Sequence, residues 1–104
     1  MWFTANLLFK SQRQAKVDEG SLWEEQIILI EATNEAAAKQ KAERHGKAQE
    51  NEYRNQAGEL VHWSFEQVER LCEVEDVTLK DGSELFSRFL RDSEVRSILT
   101  PFED

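Results

Sequence analysis

LWEEQIILIEATNEAAAKQKAERHG, residues 22–46, is the stretch on which the fold of this 104-residue chain turns. It holds an apolar extended run, a polar cap and an alanine-rich helix, in that order. Ile27-Ile28-Leu29-Ile30 is continuous and mostly β-branched. Such side chains lose rotamer freedom in a helix and fit a pleated surface, so the run is expected as a strand. Four apolar residues in succession place side chains on both faces, which predicts a central strand covered on both sides. Trp23 to Gln26 alternates better, with one face reaching water.

Thr33 or Asn34 then offers an N-cap, and Glu35 suits the positive end of the helix dipole. Ala36, Ala37 and Ala38 are strong helix formers, and Glu35–Lys39 and Glu43–Lys47 are i,i+4 pairs in the favourable order. Ala38, Ala42 and His45 share one stripe, flanked by Ala37 and Lys41. Gly46 is expected to end the helix in the left-handed conformation, with Arg44 and His45 complementing the dipole. A stripe of small residues lets the helix axis approach its support. The bulk must then come from the sheet, with Trp23 as the expected supplier.

Working outward, residues 2–10 alternate, with Phe3, Ala5, Leu7 and Phe9 on one side. That predicts a strand with one wholly apolar face. Residues 11–21, SQRQAKVDEGS, read as a loop containing Gly20, joining two antiparallel strands. After the helix, residues 51–54 and 60–65 read as a hairpin, its turn Asn55-Gln56-Ala57-Gly58 needing positive φ at Gly58. Val61, Trp63 and Phe65 fall on one face of the second arm.

Residues 66–77 admit two readings. Phe65, Val68, Leu71 and Cys72 fit a helical stripe, whereas Val68, Arg70, Cys72 and Val74 fit a strand continuing past a bulge or bend near Glu66. The tight-turn signal Lys80-Asp81-Gly82-Ser83 favours strand, with Leu85, Phe86, Phe89 and Leu90 as its partner. Asp92 or Ser93 would cap a short last helix holding Val95, Ile98 and Leu99, stopped at Thr100-Pro101.

The sum is a single α+β domain over 1–104: an antiparallel sheet of about five or six strands, one main helix packed on one face and a short C-terminal helix. On the second face, Leu8, Ile28, Ile30 and Leu60 are too apolar to be left bare. Either the C-terminal segment folds over them or another copy of the chain does.

Several of these features together resemble a family of small bacterial proteins, domain of unknown function 4288. The resemblance is carried by W-F-x-A-x-L-L-F at residues 2–9, Leu22-Trp23-Glu24-Glu25 with its apolar run, the helix ending in His45-Gly46, and the region of Tyr53, Trp63 and Phe65. It covers most of residues 2–90 and leaves the tail, 91–104, outside. The resemblance implies a small bacterial domain and supplies no catalytic residues.

The charge bounds the partners. Acidic residues outnumber basic ones 21 to 13, a formal net charge of −8. Nucleic-acid binding depends on cations neutralising phosphates, so DNA, RNA and anionic membranes are disfavoured and a basic protein is the better partner. No run approaches the roughly 20 apolar residues that span a bilayer. The opening MWFTANLLFK has neither the basic start nor the cleavage site of a secretory leader. The lone Cys72 has no internal disulfide partner, so a cytoplasmic location is expected.

No motif demands a chemistry. Glu24 and Glu25 point to opposite faces of a strand, and Glu25 and Glu31 stand about 20 Å apart on one face, too far for a glycosidase pair. His45 and His62 are too few for a zinc site and match no ligand spacing with Cys72, so no metal or other cofactor is expected. Cys72 reads as a small filler rather than a nucleophile. Trp2, Phe3, Trp63 and Phe65 lack the interleaved cations of a base-stacking platform and read as core. Tyr53, His62 and Arg88 are the strand residues best suited to line a pocket. The expected function is a non-catalytic, acidic interaction module, regulatory or immunity-like and homodimeric. The alternative is a small-ligand-binding domain or enzyme with a pocket on the curved sheet, which would bring His62 together with two or more of Tyr53, Arg88 and a glutamate.

Overall fold

Phe3, Ala5, Leu7 and Phe9 alternate along strand β1 (Trp2–Arg13), and all four are buried. That apolar edge of the pleat is the floor of the core. The structure, a computed structural model, describes residues 1–13, 21–75 and 78–100. The turn expected at Gly20, the end of the strand expected at Val77 and the stop expected at Pro101 lie outside the described residues. Strand β2 (Trp23–Glu31), helix α1 (Glu35–Ala48), strands β3 (Asn51–Arg54) and β4 (Leu60–Val74), and helix α2 (Asp92–Leu99) complete the α+β architecture. The sheet has four antiparallel strands in the order β2-β1-β4-β3.

Two expectations about the sheet are corrected by this order. The apolar run Ile27–Ile30 lies on an edge strand, and β1 and β4 are the inner pair. Among the described residues the strands also number four rather than five or six. Residues 60–65 and 66–74 form one long strand, and Leu85–Leu90 pair with nothing as a strand.

Two register shifts make the long strand possible. Asn6 pairs with Arg70 and Leu7 with Val68, leaving Glu69 unopposed; Leu8 pairs with Gln67 and Phe9 with Phe65, leaving Glu66 unopposed. Each extra residue reverses the alternation of faces. Phe65, Val68 and Leu71, three residues apart, therefore all land on the side of Phe9, Leu7 and Ala5, where they pack against the core. A helix-like spacing is thus realised on a strand. Beyond β3 the outer edge of β4 is open, and the Glu50 carboxylate accepts the Phe65 backbone N–H at 2.9 Å.

Helix α1 begins at Asn34, whose side-chain oxygen accepts the Ala37 N–H at 2.8 Å. Its buried residues are Ala38, Ala42 and Gly46, which corrects the expected stripe at its last position: His45 is exposed. Gly46 does not end the helix either. The helix runs on to Ala48 and is capped at Gln49 in a right-handed conformation, and among the described glycines only Gly58 and Gly82 have positive φ. The reason for glycine is packing. A Cβ built on Gly46 falls onto the Phe65 ring, 2.5 Å from Cε1 and 2.8 Å from Cγ. Phe65 in turn meets Phe9, centroids 5.7 Å apart and planes tilted by 59°.

Trp23 does not supply the bulk under the helix. It is 48% exposed at the sheet edge, with Lys10 Nζ 5.7 Å from its ring centroid. Phe3, Leu7, Phe9 and Ile30 fill the layer, with Phe65, Val68 and Leu71 from β4 beside them. Across the β1–β2 ladder Ile30 faces Phe3 and Ile28 faces Ala5, so both belong to the helix side. The second face instead carries Ile27 and Leu29, opposite Asn6 and Thr4. A continuous apolar run has no parity of its own, and the register of β1 decides which residues face which way.

The chain after β4 makes the expected turn at 80–83, with Gly82 at φ +88° and the Ser83 N–H bonded to the Lys80 carbonyl at 3.0 Å. It then crosses the second face, where the Thr4 hydroxyl donates to the Leu85 carbonyl at 3.0 Å. Phe86 is half-buried, with the Arg70 and Arg88 guanidinium carbons 6.0 and 5.8 Å from its ring centroid. Beyond this point the chain leaves the body. Phe89 is fully exposed, and α2 buries no residue and packs against no other element. The N-cap of α2 is Arg91 rather than Asp92 or Ser93, and the Glu94 carboxylate accepts its N–H at 2.9 Å.

The Gly46–Phe65 contact sets opposing magnitudes against each other. Alanine is preferred to glycine in a helix by about 1 kcal/mol, whereas overpacking a core costs about 1–3 kcal/mol. The ring has Phe9 and the sheet behind it, so overpacking dominates. Gly46→Ala should lower unfolding stability by about 1 kcal/mol in urea titrations, and should raise it in a Phe65→Leu background. A stabilised single variant would mean that helix and ring are not in contact.

Candidate functional site

The three residues singled out from the sequence do not converge. Tyr53 on β3 lies on the helix side of the sheet, where its hydroxyl receives the Trp63 Nε1–H at 3.4 Å. His62 points to the opposite face, with Nδ1 3.6 Å from Glu52 Oε2. That separation serves an ion pair when the imidazole is protonated and is too long for a hydrogen bond. Arg88 is on the C-terminal segment, its guanidinium against Phe86. Adjacent strand positions alternate faces, so neighbours around a hairpin such as Tyr53 and His62 are separated by the sheet itself.

Each face has its own feature. On the helix side, beyond the C-terminus of α1, lies an open groove of about 700 Å³ bordered by Ser11, Arg13, Leu22, Tyr53, Val61 and Trp63. Its size falls within the range of small-molecule sites, and Tyr53 and Trp63 give it an aromatic wall. Among the described residues its lining holds no His, Cys, Asp or Glu. Cys72 lies elsewhere, half-buried, its thiol 3.7 Å from the Glu73 carbonyl oxygen. Among the described residues no three His, Cys, Asp or Glu are grouped to hold a metal ion, and no helix is long and apolar enough to cross a membrane.

The second face is the more unusual surface. Asn6, on one of the two inner strands, is 1% exposed, and among the described residues neither its amide nitrogen nor its amide oxygen has a hydrogen-bond partner. Its flanking strand partners are Ile27 and Arg70. Next to it Ile27 and Leu29 stand 53% and 43% exposed, with Trp2 at the same end of the sheet. The sequence offered a signal for Asn6, a lone amide in an otherwise apolar strand, but its burial depends on the segment that crosses above Thr4.

A family model described as Domain of unknown function (DUF4288) matches residues 2–87, more than four-fifths of the chain. The chain belongs to this family. No curated protein and no solved structure matches it. The DUF4288 match takes in all four strands, α1 and the crossing segment as far as Ser87, and leaves Arg88 and α2 outside. The groove, Tyr53, His62 and the second face lie within the matched residues, and the projecting helix lies outside them.

A buried amide without partners costs about 1–3 kcal/mol, and an apolar side chain of similar size avoids that cost. Asn6→Leu should therefore raise the unfolding free energy by about 1 kcal/mol or more, measured as a shift in urea midpoint at unchanged slope. A loss of stability would show that the amide is satisfied in solution.

Proposed function

We propose that the protein is a non-catalytic interaction module, a cytoplasmic bacterial domain of regulatory or immunity type that acts as a homodimer through the second face of its sheet. The observation that carries this reading is the pair Ile27 and Leu29. Both are about half exposed on an ordered strand, directly beside the buried Thr4 and Asn6. Large apolar side chains held in a row on a rigid strand are costly to leave in water and suit a partner of matching shape.

The face is a better interaction surface than the β4 edge. Edge strands invite pairing, and β4 carries its two unopposed residues, Glu66 and Glu69, along the stretch that β3 leaves uncovered. Charges and bulges of this kind blunt an edge. The net charge of −8 supports association with a basic protein surface and opposes phosphate backbones and anionic lipid. Catalysis draws no support from the arrangement, because Tyr53, His62 and Arg88 stand apart.

Light scattering coupled to size exclusion should find a dimer at tens of micromolar. Ile27→Glu combined with Leu29→Glu should give a folded monomer, with a far-ultraviolet spectrum unchanged from the parent. A parent chain that runs as a monomer at that concentration removes the reading.

A further inference from the structure

Two unpartnered apolar surfaces belong to the same chain and do not meet within it. One is the strip on the second face, Trp2, Ile27 and Leu29. The other is the arm after Ser87, where Phe89, Leu90, Val95, Ile98 and Leu99 are all exposed and α2 touches no other element. We propose that the arm is exchanged between two copies, the α2 helix of each lying across the Ile27–Leu29 strip of the other. The proposal rests on the homodimer reading above and names what covers the face.

Three observations carry it. The helix is amphipathic without a partner: Val95, Ile98 and Leu99 share one side, with Ser93, Arg96 and Ser97 on the other. An eight-residue helix is marginal in water on its own and takes its stability from the surface its apolar side covers. Shape agrees. The radius of gyration is 16.5 Å, against roughly 13 Å for a compact chain of this length, an extension to which the 15-residue β4 and the projecting arm both contribute.

Finally, the area suffices. The eight apolar residues of strip and arm are on average more than half exposed. At about 200 Å² for a large apolar side chain they offer on the order of 900 Å² per chain, and a stable interface needs about 800 Å² from each partner.

The geometry of the anchor explains why exchange closes. Leu85 is held to Thr4 on the second face, so each arm leaves from the surface that the other arm would cover. A two-fold axis near that point makes both crossings equivalent, and two copies satisfy both strips without leaving a free end.

Cross-linking tests the exchange in the full chain with Cys72→Ser as background. Leu29→Cys and Ile98→Cys are placed on separate chains, one carrying an affinity tag, and the mixture is oxidised. A disulfide joining tagged to untagged chain is expected. When both cysteines are placed in one chain, a ring closed within the monomer would instead show the arm folding onto its own sheet, which overturns the exchange. The second measurement is the dimer dissociation constant of Ile98→Asp combined with Leu99→Asp, which changes only exposed side chains. It should rise at least tenfold. If Ile27→Glu with Leu29→Glu abolishes the dimer while the α2 variant leaves it intact, the second face is an interface and the arm has no part in it. A parent chain that is monomeric removes both.

Discussion

The close approach of α1 to the sheet is the constraint on which the other features depend. Ala38, Ala42 and Gly46 place almost no side chain between helix and strands, so the helix axis comes down onto Phe65 with no space for even a methyl group at Gly46. A helix so close demands a continuous apolar surface beneath it. β1 provides one by simple alternation. β4 provides the rest only because its register shifts twice, at Glu69 and Glu66, and returns Leu71, Val68 and Phe65 to the helix side in turn. In an unbroken strand Val68, an odd number of residues from both Phe65 and Leu71, would face away from the helix.

The same geometry explains the contrast between the two faces. The helix side is closed by large residues meeting small ones, and its core residues are almost wholly buried. The second face has no helix. A length of irregular chain crosses it, fixed to Thr4 by one hydrogen bond, and shelters the inner strand while leaving edge residues Ile27 and Leu29 in water. An irregular segment has its own backbone groups to satisfy, and it cannot offer the broad side-chain layer that a packed helix does. The face is consequently half built in the single chain.

That asymmetry is the basis for reading the protein as an interaction module. An active site needs titratable groups brought together from several elements in a cleft. Here the alternation of strands sends Tyr53 and His62 to opposite sides, and Arg88 travels with a segment that leaves the sheet. What the fold leaves exposed is an apolar strip beside an acidic edge strand, and a projecting amphipathic helix.

From the amino-acid order alone, the α+β class, the β1–β2 pairing, the helix with its cap at Thr33 or Asn34, the hairpin at Gly58, the turn at Gly82 and the DUF4288 resemblance could all be read, since each follows from local periodicity, backbone preference or motif. The tertiary structure decided whatever depends on which strand lies beside which. A run such as Ile27–Ile30 is apolar on both sides, so only its pairing with Phe3 and Ala5 reveals that Ile28 and Ile30 face the helix and that Ile27 and Leu29 do not. Phe65, Val68 and Leu71 are spaced as a helix, and only the ladder to β1 shows a twice-bulged strand. Gly46 reads as a helix stop until Phe65 is found on top of it. Contacts between residues distant along the chain set side-chain parity, and local sequence carries no record of them.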